Sequence, residues 1–131
     1  MAIILKSFLS GFLSTLIFHQ GFLGILFAVG VTPKPPFNMS PTEPFGIPSV
    51  ISLALFGGLW GIIIWQLVRK SVGKRHWIKS IAFGAIGPTA VAFLVVLPLK
   101  GMDFQPIFIV MGLIINGLWG FGNSLIMRFI K

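Results

Sequence analysis

The residue with the most chemistry to offer in this chain is a histidine inside an uncharged run. His19 lies in residues 7–33, a window without a single Asp, Glu, Lys or Arg. An ionisable group in so apolar a stretch is costly and often functional. Three uses are open to it. A neutral imidazole can hydrogen-bond to a neighbouring helix. A ring nitrogen can be an axial ligand to the iron or magnesium of a haem or chlorophyll-type pigment, with Phe12, Phe18 and Phe22 packing the macrocycle. The ring can also titrate within an ion or proton path. Thr15, four residues earlier, can share its face, whereas Ser14 and Gly21 lie roughly opposite. A haem held by two histidines needs a second at the same depth, and His76 is expected in a basic loop, too far away within one subunit.

Other unusual residues fall near the centres of their windows: Gly57 and Gly58, Gly84, Gly87 and Pro88, and Asn116. Pro88 leaves a carbonyl one turn earlier without its donor, and Thr89 and Asn116 are placed to serve it. Broken helices around a midplane cavity are a common way to bind a transported solute. A transport route would therefore run along His19, Thr89 and Asn116. Glu43 and Asp103 are the only acids and neither lies in an apolar window, so a carboxylate-coupled carrier is not expected. Catalysis has no support either. There is no carboxylate pair and no HExxH, GxSxG or GxxxxGK[ST] motif. With no cysteine there is no thiol nucleophile, and no metal centre is expected.

The elements that must position these residues follow from the charges. Of 131 residues, 56% are apolar and only 9% charged, too few to keep a soluble surface wet. Residues 7–33, 44–68, 80–99 and 104–127 are uncharged, and a helix needs about 20 residues to cross the hydrocarbon core. Helices satisfy their own backbone in lipid, and these windows lack the alternation of barrel strands. The expectation is an all-α membrane protein, a bundle of four transmembrane helices near 5–30, 48–70, 77–99 and 105–128. The apolar N-terminal stretch has no clean small-x-small cleavage site and reads as the first of these helices.

A four-span arrangement places Lys6, Arg69, Lys70, Lys74, Arg75, Lys79, Arg128 and Lys131 on one side. It leaves Lys34, Glu43, Lys100 and Asp103 on the other. The positive-inside rule then puts both termini in the cytoplasm, in a multi-pass protein of a bacterial inner membrane. The net charge of +8 is thus an orientation signal rather than a nucleic-acid footprint. Arg69, Lys70, Lys74, Arg75 and Lys79 would also attract anionic lipid head groups.

Helices in lipid associate through small residues and buried polar contacts. Ser7, Ser14, Gly21 and Ala28 recur every seven residues, with Gly11 and Gly24 near the same stripe. Gly57 and Gly61 have the close-packing spacing, and Gly112, Asn116 and Gly120 share one face. Gly58-Leu59-Trp60-Gly61 returns as Gly117-Leu118-Trp119-Gly120, with Arg69 and Arg128 each nine positions after the Trp. Gly84 and Gly87 are spaced like Gly21 and Gly24. These echoes hint at two helical hairpins in parallel repeat. Between the first two helices, residues 31–47 carry Pro33, Pro35, Pro36, Pro41 and Pro44 with Phe37 and Phe45. This is a stiff outer loop, either a cap or a docking surface.

In length and span number the chain resembles small multidrug exporters and fluoride channels. It lacks the exporters' intramembrane Glu and the channels' third-helix Thr/Ser/Phe motif, so no family is assigned. The favoured expectation is a small non-catalytic accessory subunit. It would pack against other membrane subunits or identical copies, among membrane lipids, and hold a lipid or lipophilic cofactor through His19. The alternative is a homo-oligomeric channel or carrier.

Overall fold

The computed structural model describes residues 2–130. Lys131, counted above among the basic residues of one side, lies outside them. Four helices are long and apolar enough to cross a membrane: α1 (Ile3–Ala28), α2 (Ser49–Val68), α3 (Gly73–Leu99) and α4 (Pro106–Phe129). This fits an integral multi-pass membrane protein. The helices alternate in direction, so Ile3, Val68, Gly73 and Phe129 share what we term the terminal end. The 29–48 and 100–105 connectors form the loop end.

The third helix begins four residues earlier than residue 77. Val72 is extended, and Gly73 carries Lys74, Arg75 and His76 into the first turn of α3. The basic connector shrinks to residues 69–72. His76 is therefore not a loop residue as the sequence reading had it. It is buried at 3% exposure, with ring nitrogens toward the Val68 carbonyl (3.0 Å) and the Ser124 hydroxyl (3.1 Å).

At the loop end, α1 and α3 stop in the same way. Gly30 and Gly101 adopt positive φ, and the residues after them donate back to Leu26 and Leu97. This is the glycine-terminated cap that satisfies the last carbonyls of a helix. The long connector folds over the bundle with a two-residue antiparallel ladder, β1 (Pro41–Thr42) on β2 (Ile47–Pro48). Its Ser40 and Asn38 carbonyls accept from Ser49 and Val50, two of the otherwise unpaired N–H groups at the start of α2.

Packing in the terminal half rests on backbone-to-backbone crossings. A Cβ on Gly61 would strike the Ser7 carbonyl and the Gly11 Cα. A Cβ on Gly120 would strike the Ser80 carbonyl and the Gly84 Cα. The two crossings are the same contact made twice. Adding 73 carries Ser7 and Gly11 to Ser80 and Gly84. Adding 59 carries Gly57, Trp60 and Gly61 to Asn116, Trp119 and Gly120. Each Trp also reaches the first helix of the other hairpin: Trp60 lies against Gly87, and the Trp119 indole donates to the Gly11 carbonyl (3.0 Å) and Thr15 hydroxyl (3.1 Å). The repeat is thus present in the contacts, with Gly84 equivalent to Gly11 rather than to Gly21.

Gly21 is not a packing residue. It is exposed, with nothing within 4 Å of an added Cβ. The cause is a π-helical turn at Thr15–His19. Its extra residue rotates the rest of α1 by about one residue's arc, so a heptad stripe drawn through Ser7 and Ser14 misses its next member. The other glycines of the expected contact faces do pack: Gly57 on Thr15 and Gly11, and Gly112 on Thr89 and Phe93.

Candidate functional site

Below the crossings the bundle is closed by hydroxyls that bind carbonyls of neighbouring helices. Ser10 donates to the Asn123 carbonyl (2.5 Å), Ser14 to that of Trp119 (2.6 Å) and Ser80 to that of Gly120 (2.7 Å). All three serines are fully buried. Ser80 and Ser124 touch at 2.6 Å, and Ser124 continues to His76. These contacts pin α4 to α1 and α3. Two groups break the pattern: the side chain of Asn123 is fully buried with neither its oxygen nor its nitrogen paired, and the Trp65 indole N–H is buried without an acceptor.

Toward the loop end the same helices part around a cavity of about 560 Å³. Thr15 and His19 of α1, Gly57 and Trp60 of α2, Pro88 of α3, and Asn116 and Trp119 of α4 line its deep part. Leu53 and Phe56 of α2 face Val91 and Val96 of α3 along its sides. All four are exposed, so the cavity is open laterally between those helices. Ser49, Ser52, Thr42, Glu43 and Lys100 line its upper part toward the loop end. The volume lies in the range of small-molecule sites, about 300–1,000 Å³.

Two local departures from α-helix shape this space. The π-turn in α1 ends on His19, and a second π-turn, Ala92–Val96, follows Pro88 in α3. Thr15 and His19 of the first and Ala92 and Val96 of the second all line the cavity, and such turns recur at functional sites. Thr89 and Asn116 do not serve the carbonyl freed by Pro88. The Asn116 amide instead donates to the Thr89 hydroxyl at 2.9 Å. Thus the three residues of the expected transport route meet here, His19 and Asn116 in the wall and Thr89 held behind Asn116.

The hydrogen bonds of His19 decide what its ring can do. Gln20 accepts from the Phe37 backbone N–H through Oε1 (2.7 Å), which orients its amide. The Gln20 Nε2 donor then faces His19 Nδ1 at 3.1 Å. Nδ1 must accept, so the neutral ring carries its hydrogen on Nε2. An axial ligand to iron or magnesium needs a bare ring nitrogen, and this arrangement has none to spare. The ring does not fit the expected haem or chlorophyll-type ligation. Phe18 belongs instead to a contact with Phe121 and Gly122. Among the described residues no three His, Cys, Asp or Glu gather as metal ligands.

Arg69, Lys70, Lys74 and Arg75 are exposed at the terminal end and Lys79 is half-buried. Arg128 stacks on the Trp77 ring, 4.6 Å from its centroid. Phe37 and Phe45 of the long connector are exposed, Phe45 at 84%. Sequence reasoning missed the buried Ser10, Ser80 and Ser124 links and the inward Trp119, because their signal lies in which carbonyl faces them. A hint existed: serines at positions 7, 10 and 14 recur at helical spacing. No protein-family model, curated protein or solved structure matches the chain.

Proposed function

We propose that the chain is a small non-catalytic protein of the bacterial inner membrane, with both termini in the cytoplasm, that holds a lipophilic molecule between α2 and α3. The observation that carries this is the cavity itself. It has apolar rims and a floor where His19, Thr15 and Asn116 converge. Apolar walls with a few fixed polar groups are the usual form of a small-molecule site. Lateral opening suits a ligand that partitions into lipid. The exposed Phe37 and Phe45 of the outer loop give other membrane subunits or identical copies a surface to pack on, and the basic residues at the cytoplasmic end lie where anionic head groups gather.

The test is gentle solubilisation, native mass measurement and organic extraction. A tightly retained lipophile in stoichiometric amount is expected, reduced when Leu53 is changed to Trp to fill the cleft. A protein that carries no lipophile from the membrane, and takes none up from mixed micelles, would defeat the reading.

A carrier is the second reading, favoured by one arrangement: a mid-depth site open to one end, closed toward the other, and lined by two π-turns. It predicts solute flux in vesicles that falls with Asn116→Leu. Absence of flux across a panel of ions and small solutes would remove it.

A further inference from the structure

We infer that the molecule held in the cavity is a neutral, carbonyl-bearing lipophile of the quinone type, with a ring carbonyl accepting from His19 Nε2–H; this rests on the cavity being a ligand site at all. The inference begins with the locked tautomer. The Phe37 N–H orients Gln20, Gln20 occupies His19 Nδ1, and Nε2 is left as a donor with no protein partner among the described residues. His19 lines the cavity, which sets its ring at the wall. An unused donor in an apolar wall selects an acceptor, because a ligand without one leaves the N–H desolvated and unpaired.

The neighbouring polar groups narrow the choice. The Trp119 indole and the Thr15 hydroxyl are already spent on the Gly11 carbonyl. Asn116 keeps part of its amide free after meeting Thr89. The deep floor therefore offers a histidine donor and a single amide, and no full charge. An anionic or cationic head would lose its hydration there without a counter-ion. Glu43 and Lys100 stand only in the upper part, so they supply no counter-ion at depth. A neutral carbonyl meets the donors without that cost.

The walls fit a flat ring with an apolar tail. Trp60, Trp119 and Phe56 give aromatic surface, and Pro88 a rigid apolar one. Leu53 and Val91, exposed at the cavity's flank, give a tail an apolar exit toward lipid.

The probe is a decyl-substituted benzoquinone added to the detergent-purified full chain, with decylbenzene as the carbonyl-free counterpart. Trp60 and Trp119 in the wall make tryptophan quenching by the quinone the readout, and displacement of a bound fluorescent lipophile reports both probes. The quinone should displace it at least about tenfold more tightly than decylbenzene, the worth of one well-made buried hydrogen bond. His19→Phe, which keeps the ring's bulk, should remove most of that preference, and Gln20→Leu should reduce it by freeing the tautomer. Equal displacement by both probes, with His19→Phe without effect, would overturn the carbonyl assignment and leave a lipophile site standing. Failure of both probes would remove the site as well. The wild-type comparison of the two probes needs no variant to fold.

Discussion

Up to Ser14, the first helix lies against the α2 backbone and hydrogen-bonds to carbonyls of α4; beyond it, Thr15 and His19 line a cavity. The terminal half of the bundle is held by glycine crossings at Gly11–Gly61 and Gly84–Gly120 and by buried hydroxyls that each find a carbonyl. In the loop half α3 and α4 stay in contact through Thr89, Phe93, Gly112 and Asn116, but a cavity opens among the four helices, with two π-turns and an unpaired imidazole donor. Lipid gives no hydrophobic drive between helices, so cohesion comes from close approach and polar links. Where those are concentrated the bundle is close-packed. Where they are absent, room is left for a ligand. Stability and binding are thus separated along the length of one bundle.

The largest expected effect tests the crossings. Gly11→Val would place a methyl-bearing carbon on the Gly57 carbonyl oxygen and within 2.9 Å of the Gly61 Cα, both backbone. We expect a loss of about 3 kcal/mol, at the upper end for overpacking, read as early loss of helicity in a denaturing-detergent titration. Full tolerance of Val would mean the terminal half is not close-packed.

Next, His76→Phe keeps the ring against Trp65 and Trp77 but removes the links to Val68 and Ser124. A cost of about 1 kcal/mol is expected from the lost hydrogen bonds, since Ser124 keeps Ser80 and the Val68 carbonyl keeps the Ser71 N–H, measured by the same titration. Ligand retention by the folded fraction should be unchanged, since His76 lies outside the cavity wall. A variant as stable as wild type that has lost its ligand would dissolve the division between the halves.

Asn123→Leu sharpens the comparison from the opposite direction. The amide is buried with no partner, and its repeat counterpart, 59 positions earlier, is the buried Ile64. Replacement by a residue of similar size should raise stability by about 1 kcal/mol. A marked loss instead would show that the amide is paired in the membrane.

The smallest effect concerns Gly21. Its side of α1 is open, so Gly21→Ala should stabilise the helix by about 0.5–1 kcal/mol, visible as a slightly higher melting temperature. Destabilisation would return Gly21 to the packing face.

Much of the fold was legible because it depends on where charges are missing. Long neutral windows locate the helices to within a few residues, and the repeated Gly-Leu-Trp-Gly marks the crossings. Ser10, Ser124 and the inward Trp119 were not legible, since a hydroxyl or indole reads alike whether it meets lipid, solvent or a carbonyl on another helix. His76 was misplaced because its basic neighbours resemble a loop, although Gly73 starts a helix directly after Val72.

The candidate site divides the same way. His19, Thr89 and Asn116 stand out by type, as polar groups in runs that otherwise exclude them. Their meeting is a matter of tertiary packing, and no periodicity forecasts the extra residue that each π-turn adds to the cavity wall. The sequence by itself determined the four apolar helices, the segregation of basic charge and the glycines that let backbones touch, because these follow from composition and spacing along one chain. Only the tertiary structure decided which tautomer His19 holds and which residues share the cavity, because both turn on a distant partner. Phe37 orients Gln20, and Gln20 sets the ring.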